Sequence, residues 1–385
     1  MKILVVGAGM YVTGRGTSGI GTILPALAQF SRHNKVESVT IAATRPEAES
    51  GVAEAVQRVN GILGSSLRVT YRELRADSTA MASRGEFDCA VVCVPDDLHF
   101  VVTAALLRAG IHCLVVKPFT PTLAEATELV ALQRAHGLYG AVEFHKRFDE
   151  QNLLVRKLIR EGTLGSPRYM VVSYSQRIGI PLDLFRGWSS RTNIFQYLGV
   201  HYVDLAYFLT GFRPLRVSAI GSKGLLASCG VDTWDSVHAT IVWQGANSSE
   251  EFVSQLAIGW IDPESTSAMS DQRFYLVGSR GRVDLDQTDR GVKLVTGEAG
   301  VENPNPYFSM VLGDDDGLAF QGYGYKSIER FLKDASGVIR GDVEPEALDQ
   351  LRSTFDQSLI STAVVDAVNM SLADNGTWRD VDVQA

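Results

Sequence analysis

The sequence predicts an α/β protein of two domains. The first carries a parallel sheet with helices on both faces; the second is an α+β domain with a large, mostly antiparallel sheet. Over residues 1–143, short apolar runs alternate with stretches of helical periodicity, the pattern of repeated βαβ units. Beyond residue 144, strand-like runs follow one another with few helices between them, which favours antiparallel pairing. The length of 385 residues suits two domains of ~100–200 residues each.

In order, the first-domain strands are expected at 2–6, 36–43, 67–73, 89–94, 112–116 and 139–144. Helical stretches at 23–30, 47–63, 101–109 and 123–136 separate them. These strands read as unbroken apolar runs, as they must when both sheet faces are covered. A helix at 150–161 ending at Gly162 and a strand at 168–176 open the second domain. A long irregular segment follows, then a helix near 196–210. Strands at 217–221, 236–243, 251–259, 273–278 and 282–286 precede two C-terminal helices at 324–336 and 345–375. The domains are expected to span 1–143 and 144–385.

Apolar residues make up 45% of the chain and charged residues 21%, enough for a sizeable core, and the net charge is −8. An acidic balance without a Lys/Arg cluster argues against a nucleic-acid partner. No apolar run reaches the ~18 residues needed to span a bilayer. The opening MKILVVGAG lacks the pattern of a secretory leader. Cys89, Cys93, Cys113 and Cys229 have no metal-ligand spacing, and three of them lie in apolar strand-like runs, where thiols pack as small hydrophobes. A reduced, cytoplasmic protein with no metal and no membrane partner is expected.

The first strand runs into Gly7-Ala8-Gly9, followed by Met10 and a glycine-rich stretch to Gly21 that contains Arg15. Gly-x-Gly directly after a strand, at the head of βαβ units, marks the turn whose backbone N–H groups face a pyrophosphate. The first domain is therefore read as a Rossmann dinucleotide-binding domain. Gly7, Gly9, Met10 and Arg15 are its phosphate-side candidates. The second strand ends Thr44-Arg45. An acid there would bind a ribose 2′-hydroxyl and mark NAD, whereas Arg accommodates a 2′-phosphate, so NADP is favoured over NAD.

Four further motifs follow in order: Val94-Pro95-Asp96-Asp97-Leu98-His99, Val116-Lys117-Pro118, Phe144-His145-Lys146-Arg147-Phe148 and Gly199-Val200-His201-Tyr202-Val203-Asp204. Together they resemble the glucose-fructose oxidoreductase/inositol dehydrogenase/rhizopine-catabolism (GFO/IDH/MocA) family along essentially the whole chain. The family's signatures are Pro-Asn-x-x-His, Glu-Lys-Pro, aromatic-x-Arg-Arg-Phe and Asp-x-x-x-His. The resemblance implies that Lys117 contacts the substrate hydroxyl and the cofactor, and that His201 is the acid/base. It places Val94, Pro95, Asp96 and His99 in the loop beside the cofactor, with His99 also read as a helix-start group. It makes Pro118 a proline whose preceding peptide is often cis. Val116 stands where the family has Glu, and Tyr197 where it has the Asp four residues before the histidine. On a helix Tyr197, His201 and Asp204 would share a face.

Oxidising a secondary alcohol sends hydride to the nicotinamide and a proton to a base, which suits His201 and Lys117. Arg147 serves either the substrate or an ion pair; Tyr197 is either catalytic or a packing residue. Substrate candidates are thus Lys117, Arg147, Tyr197, His201 and Asp204. The expected activity is hydride transfer between a nicotinamide and a sugar, polyol, inositol or nucleotide sugar. The alternatives are a lyase or glycosidase that recycles its cofactor internally and a non-catalytic NADP-binding sensor. The resemblance also implies a homodimer or homotetramer formed through the second-domain sheet.

Overall fold

A computed structural model describes residues 1–17, 19–74, 82–246, 249–314 and 317–382. It comprises two compact units, Met1–Thr120 with Ala124–Phe148 and Tyr307–Ser358, and Pro121–Leu123 with Asp149–Pro306 and Leu359–Ala385. The expected division into 1–143 and 144–385 is thereby corrected, because a late segment of the chain returns to the first unit.

In the first unit, β1 (Lys2–Val6), β2 (Ser38–Ala43), β3 (Val69–Glu73), β4 (Cys89–Val92), β5 (His112–Val116) and β6 (Gly140–Glu143) form one sheet in the order β3-β2-β1-β4-β5-β6. Every pairing in it is parallel. The crossovers carry α1 (Met10–Thr13), α2 (Ile23–Ser31), α3 (Ala48–Leu63), α4 (His99–Arg108) and α5 (Leu123–Ala135). The apolar runs do what their composition requires: Ile3, Leu4, Val5, Val91, Val92 and Val115 have essentially no exposure.

In the second unit, α6 (Glu150–Arg160) is capped by Asp149, whose carboxylate accepts from the Gln151 N–H at 3.1 Å. β7 (Pro167–Arg177) follows, then α7 (Val200–Thr210), β8 (Arg213–Ser222), α8 (Leu225–Ser228), β9 (Ser236–Gln244), β10 (Glu251–Asp262), β11 (Ser270–Gly278) and β12 (Arg282–Asp286). Short hairpins β13 (Leu294–Thr296)/β14 (Gly300–Glu302) and β15 (Met310–Asp314)/β16 (Gly317–Gln321) come next, the second of them in the first unit. The large sheet runs β12-β11-β7-β10-β9-β8-β17, with β17 at Arg379–Asp380. Only β7 and β10 pair parallel in it. Alternation sets its two faces: Phe252, Leu256, Ile258 and Trp260 of β10 point into the core with Met170, Val172 and Tyr174 of β7.

The C-terminal helices fall at α9 (Tyr323–Ile339) and α10 (Phe355–Ala373). α9 gives Ile328, Phe331, Leu332 and Ala335 to the buried cluster that also holds Ile3, Val5 and Leu27. The expected continuous helix 345–375 is interrupted at 349–354. There the chain bonds to β6 instead: Val142 N–H donates to Ser353 O at 2.8 Å, Ser353 Oγ donates to Val142 O at 2.7 Å, and Ala141 bridges to Thr354.

Candidate functional site

The residues singled out from the sequence gather in three places, two in the first unit and one in the second. The first lies beyond β1. Gly7 adopts φ +114°, and a Cβ there would stand 2.0 Å from the Cys93 carbonyl oxygen, so only glycine lets β1 and β4 approach this closely. A Cβ on Gly9 would meet nothing within 4 Å, which leaves open space beside the turn. α1 is a single turn that closes when Gly14 N–H donates to Met10 O at 2.8 Å, and the chain returns through Thr22 N–H to Tyr11 O at 2.8 Å. The glycine-rich stretch is thus a tight loop inserted between the Gly-x-Gly turn and α2.

A cavity of about 390 Å³ opens here, lined by the loop at 13–17, Ala8 and the start of α3. Three guanidinium-bearing residues, Arg15, Arg45 and Arg58, and two carboxylate residues, Glu47 and Glu54, face it. Burial, and then the neighbouring Arg45 charge, hold the Arg15 guanidinium below its ordinary value. An anion between the two side chains would relieve the smaller, Arg45 share of that shift. Thr44 and Arg45 are exposed at the tip of β2, and the Arg45 carbonyl accepts from the Tyr71 hydroxyl at 2.5 Å. Arg58 and Glu54 escaped the sequence reading. They recur with Gly51 and Ala55 at helical spacing on one face of α3, which is the signal that would have found them.

The second place is the C-terminal edge of β4, β5 and β6. Lys117 follows β5, its peptide bond to Pro118 is cis, and only 9% of the residue is exposed. Burial pulls the Lys117 ammonium down to about 7, against the opposing pull of Glu143, Asp96 and Cys93. Asp96 is buried just after Val94 and Pro95, in a 3₁₀ turn that runs into α4. His99, at the first position of α4, faces backbone carbonyls with both ring nitrogens. Nδ1 lies 2.7 Å from Pro118 O and Nε2 3.0 Å from Val94 O. It thereby ties the Val94–Pro95 turn to the strand end that carries Lys117. Arg147 is buried, with its guanidinium 6.0 Å from the Phe144 ring centre. Beside these stands Glu143, 1% exposed, which the sequence reading passed over. An acid closing the apolar run Gly140-Ala141-Val142 was the available signal.

The third place is in the second unit. Residues Phe195–Gly199 form a π-helical turn that leads into α7. The helix expected near 196–210 thus begins as a π-turn and becomes α-helical only at Val200. The Tyr197 ring lies among Phe185 at 5.2 Å, Trp188 at 6.1 Å and Trp260 at 6.2 Å. His201 is buried with its ring 6.5 Å from that of Tyr174, and Asp204 is buried one turn on. Asn193 Oδ1 accepts from Gln196 N–H at 3.0 Å, and its amide donates to Asn369 at 2.8 Å, which pins the start of the π-turn to α10.

The open side of Gly9 and the arginines around the adjoining cavity fit a dinucleotide whose pyrophosphate lies at the turn. Residues 1–144 match the oxidoreductase family with an NAD-binding Rossmann fold, and residues 152–284 match the GFO/IDH/MocA C-terminal domain. The chain belongs to the GFO/IDH/MocA family. UDP-N-acetylglucosamine 3-dehydrogenase of Acidithiobacillus ferrooxidans is 30% identical over 147 residues, 38% of this chain and 44% of that protein. Inositol 2-dehydrogenase of Rhizobium meliloti is 24% identical over 235 residues, 60% of this chain and 67% of that protein. The chain thus matches less than half the length of the first of these relatives. Among solved structures, myo-inositol 2-dehydrogenase of Lactobacillus plantarum superposes with a TM-score of 0.69 at 17% identity, covering 99% of each chain. Scyllo-inositol dehydrogenase of Lactobacillus casei with bound NAD(H) and scyllo-inositol gives 0.66 at 15%, again covering 99% of each. At these identities the likeness of family members to this chain is one of fold.

Proposed function

We propose that this member of the family is a dehydrogenase acting on a secondary hydroxyl of a carbohydrate-like substrate (a sugar, polyol, inositol or nucleotide sugar), with NADP preferred to NAD. The observation that carries the reading is a buried lysine at the tip of a dinucleotide-binding sheet, poised near neutral pH. When bound, the nicotinamide accepts or returns the hydride. The chain's own residues do the rest. Gly7, Gly9 and Met10 hold the pyrophosphate at the turn. Val94, Pro95 and Asp96 wall the cofactor, and His99 fixes that wall. Lys117 donates a hydrogen bond to the alcohol oxygen and, titrating near 7, exchanges its proton. His201 is the acid/base counterpart, Asp204 supports it, and Arg147 binds substrate hydroxyls.

The NADP preference rests on Arg15 and Arg45 at one cavity and on the lack of an acid at Thr44-Arg45. Tyr197, set among aromatic rings, forms an apolar wall against which the C–H face of a sugar ring packs. A homodimer is proposed through the sheet face that leaves Tyr169, Val171, Leu215 and Ile220 exposed, and light scattering would test it.

The test follows nicotinamide absorbance while polyols, inositols, free sugars and nucleotide sugars are offered with NAD⁺ and NADP⁺ separately. Turnover with one class establishes the reading. Silence across the panel, with cofactor binding intact, refutes it and favours internal recycling, to which the Tyr197 replacement already points.

A further inference from the structure

The loop inserted between the Gly-x-Gly turn and α2 is held in one shape by its own bonds. Gly14 adopts φ +79°, and a Cβ there would stand 2.2 Å from the Gly19 carbonyl oxygen, so the two limbs of the loop touch where only glycine fits. Thr17 bridges them. Its N–H donates to Gly14 O at 3.0 Å, its hydroxyl donates to the same oxygen at 2.8 Å, and that hydroxyl accepts from Gly19 N–H at 3.1 Å. The turn so closed carries Arg15 and Gly16 at an exposed tip. Its far limb is tied to another element, because the Arg58 guanidinium of α3 donates to Gly19 O.

The tip of β2 is pinned as well: the Tyr71 hydroxyl of β3 donates to Arg45 O at 2.5 Å. Arg15 and Arg45 thus line one cavity from two anchored backbones. Glu47 and Glu54 line it too, yet among the described residues neither arginine forms an ion pair with them. Guanidinium groups that share a rim repel one another unless an anion lies between them. A phosphate monoester is such an anion, and planar guanidinium donors suit it.

We propose that the inserted loop selects the phosphorylated cofactor, and that Arg58 is the positioning residue that holds this loop closed so that Arg15 meets Arg45 across a 2′-phosphate. This rests on the NADP preference proposed above. Arg58 acts through the Gly19 carbonyl and leaves the phosphate to the other two arginines.

The experiment is a calorimetric titration of the full chain with 2′,5′-ADP and with 5′-AMP, which differ only in the 2′-phosphate; it needs neither nicotinamide nor turnover. The native protein is expected to bind 2′,5′-ADP at least tenfold more tightly. Arg58→Met should weaken 2′,5′-ADP about three- to tenfold, the worth of one hydrogen bond, and leave 5′-AMP within about twofold. Made in an Arg15→Ala background, the same change should cost less than about twofold, since the loop then has no guanidinium to place. Arg15 and Arg58 are both exposed, so these variants leave the core intact. No loss in Arg58→Met, or an equal loss for both ligands, overturns the proposal. So does a full loss repeated in Arg15→Ala, which would make Arg58 a phosphate ligand in its own right. A native protein that binds the two nucleotides equally would sink the NADP preference and this inference together. A native preference that Arg58→Met leaves intact would sink the Arg58 role alone.

Discussion

Replacing Lys117 by Met should change how stability depends on pH, and in a stated direction. The lysine's ordinary value is 10.5 and burial brings it to about 7 in the folded protein. Below pH 7 the ammonium is protonated in both folded and unfolded chains, and the fold bears its full desolvation cost. Between pH 7 and 10.5 the unfolded chain holds a proton that the folded one has released, so stability rises with pH across that window. At 1.36 kcal/mol per pH unit the whole interval amounts to about 5 kcal/mol. Between pH 7.5 and 9.5 the native protein should gain about 2–3 kcal/mol relative to Lys117→Met. The variant should be the more stable of the two at pH 7, a cost of function carried by the native chain. The assay is guanidinium unfolding at several pH values, with the difference taken between the two proteins at each. All five tryptophans lie in the second unit. Fluorescence therefore reports that unit, while far-UV circular dichroism reports both. If the two stability curves run parallel from pH 7.5 to 9.5, Lys117 is not titrating in that window and its proposed proton exchange fails with it.

Other outcomes can be checked independently. Arg45→Glu should weaken NADP⁺ roughly 10–100-fold in a fluorescence titration while leaving NAD⁺ within about threefold, since one charge-assisted hydrogen bond is worth ~1.5–3 kcal/mol; equal losses for both would remove the 2′-phosphate argument. Gly7→Ala drives a Cβ into the Cys93 carbonyl and should cost about 1–3 kcal/mol of stability and most of the cofactor affinity, read by melting and titration. Asp149→Ala strands Arg290, whose guanidinium is fully buried and makes a 2.7 Å bond to the carboxylate. Tryptophan-monitored unfolding should show a loss of about 3–5 kcal/mol. Tyr197→Phe keeps the ring contacts, so turnover should stay within about threefold. A loss of a hundredfold in kcat with KM unchanged would instead make the phenol a proton carrier.

The parallel sheet was legible because its strands are unbroken apolar runs of the right length, and the glycine turn because backbone crowding admits no other residue. Lys117 and His201 were singled out through motif order, and both are buried. What escaped were features made by long-range placement. Glu143 acquires meaning only from the register that sets it against Val116, and nothing local announces that pairing. Arg58 reaches the cavity because α3 packs where it does. The π-turn at 195–199 was invisible because apolar spacing there reads equally well as α-helix, while the Asn193 bonds that favour the wider turn involve Asn369, far along the chain. The interruption at 349–354 likewise follows from pairing with β6, which outweighs the helical tendency of the segment.

The return of Tyr307–Ser358 to the first unit has a consequence in time. A chain leaving the ribosome completes β6 at Glu143, yet α9, which covers part of that unit's core, begins at Tyr323. At ~5–20 residues per second, the roughly 180 residues between them take about 10–35 s to synthesise. Throughout that interval the apolar surface that Ile328, Phe331 and Leu332 will cover has no native cover, and the whole of β7 to β14 emerges first. The first unit can close once Ser358 is made, whereas the second, although most of its sheet emerges earlier, still waits for Leu359–Ala385, so the two units finish in the order in which the chain first enters them.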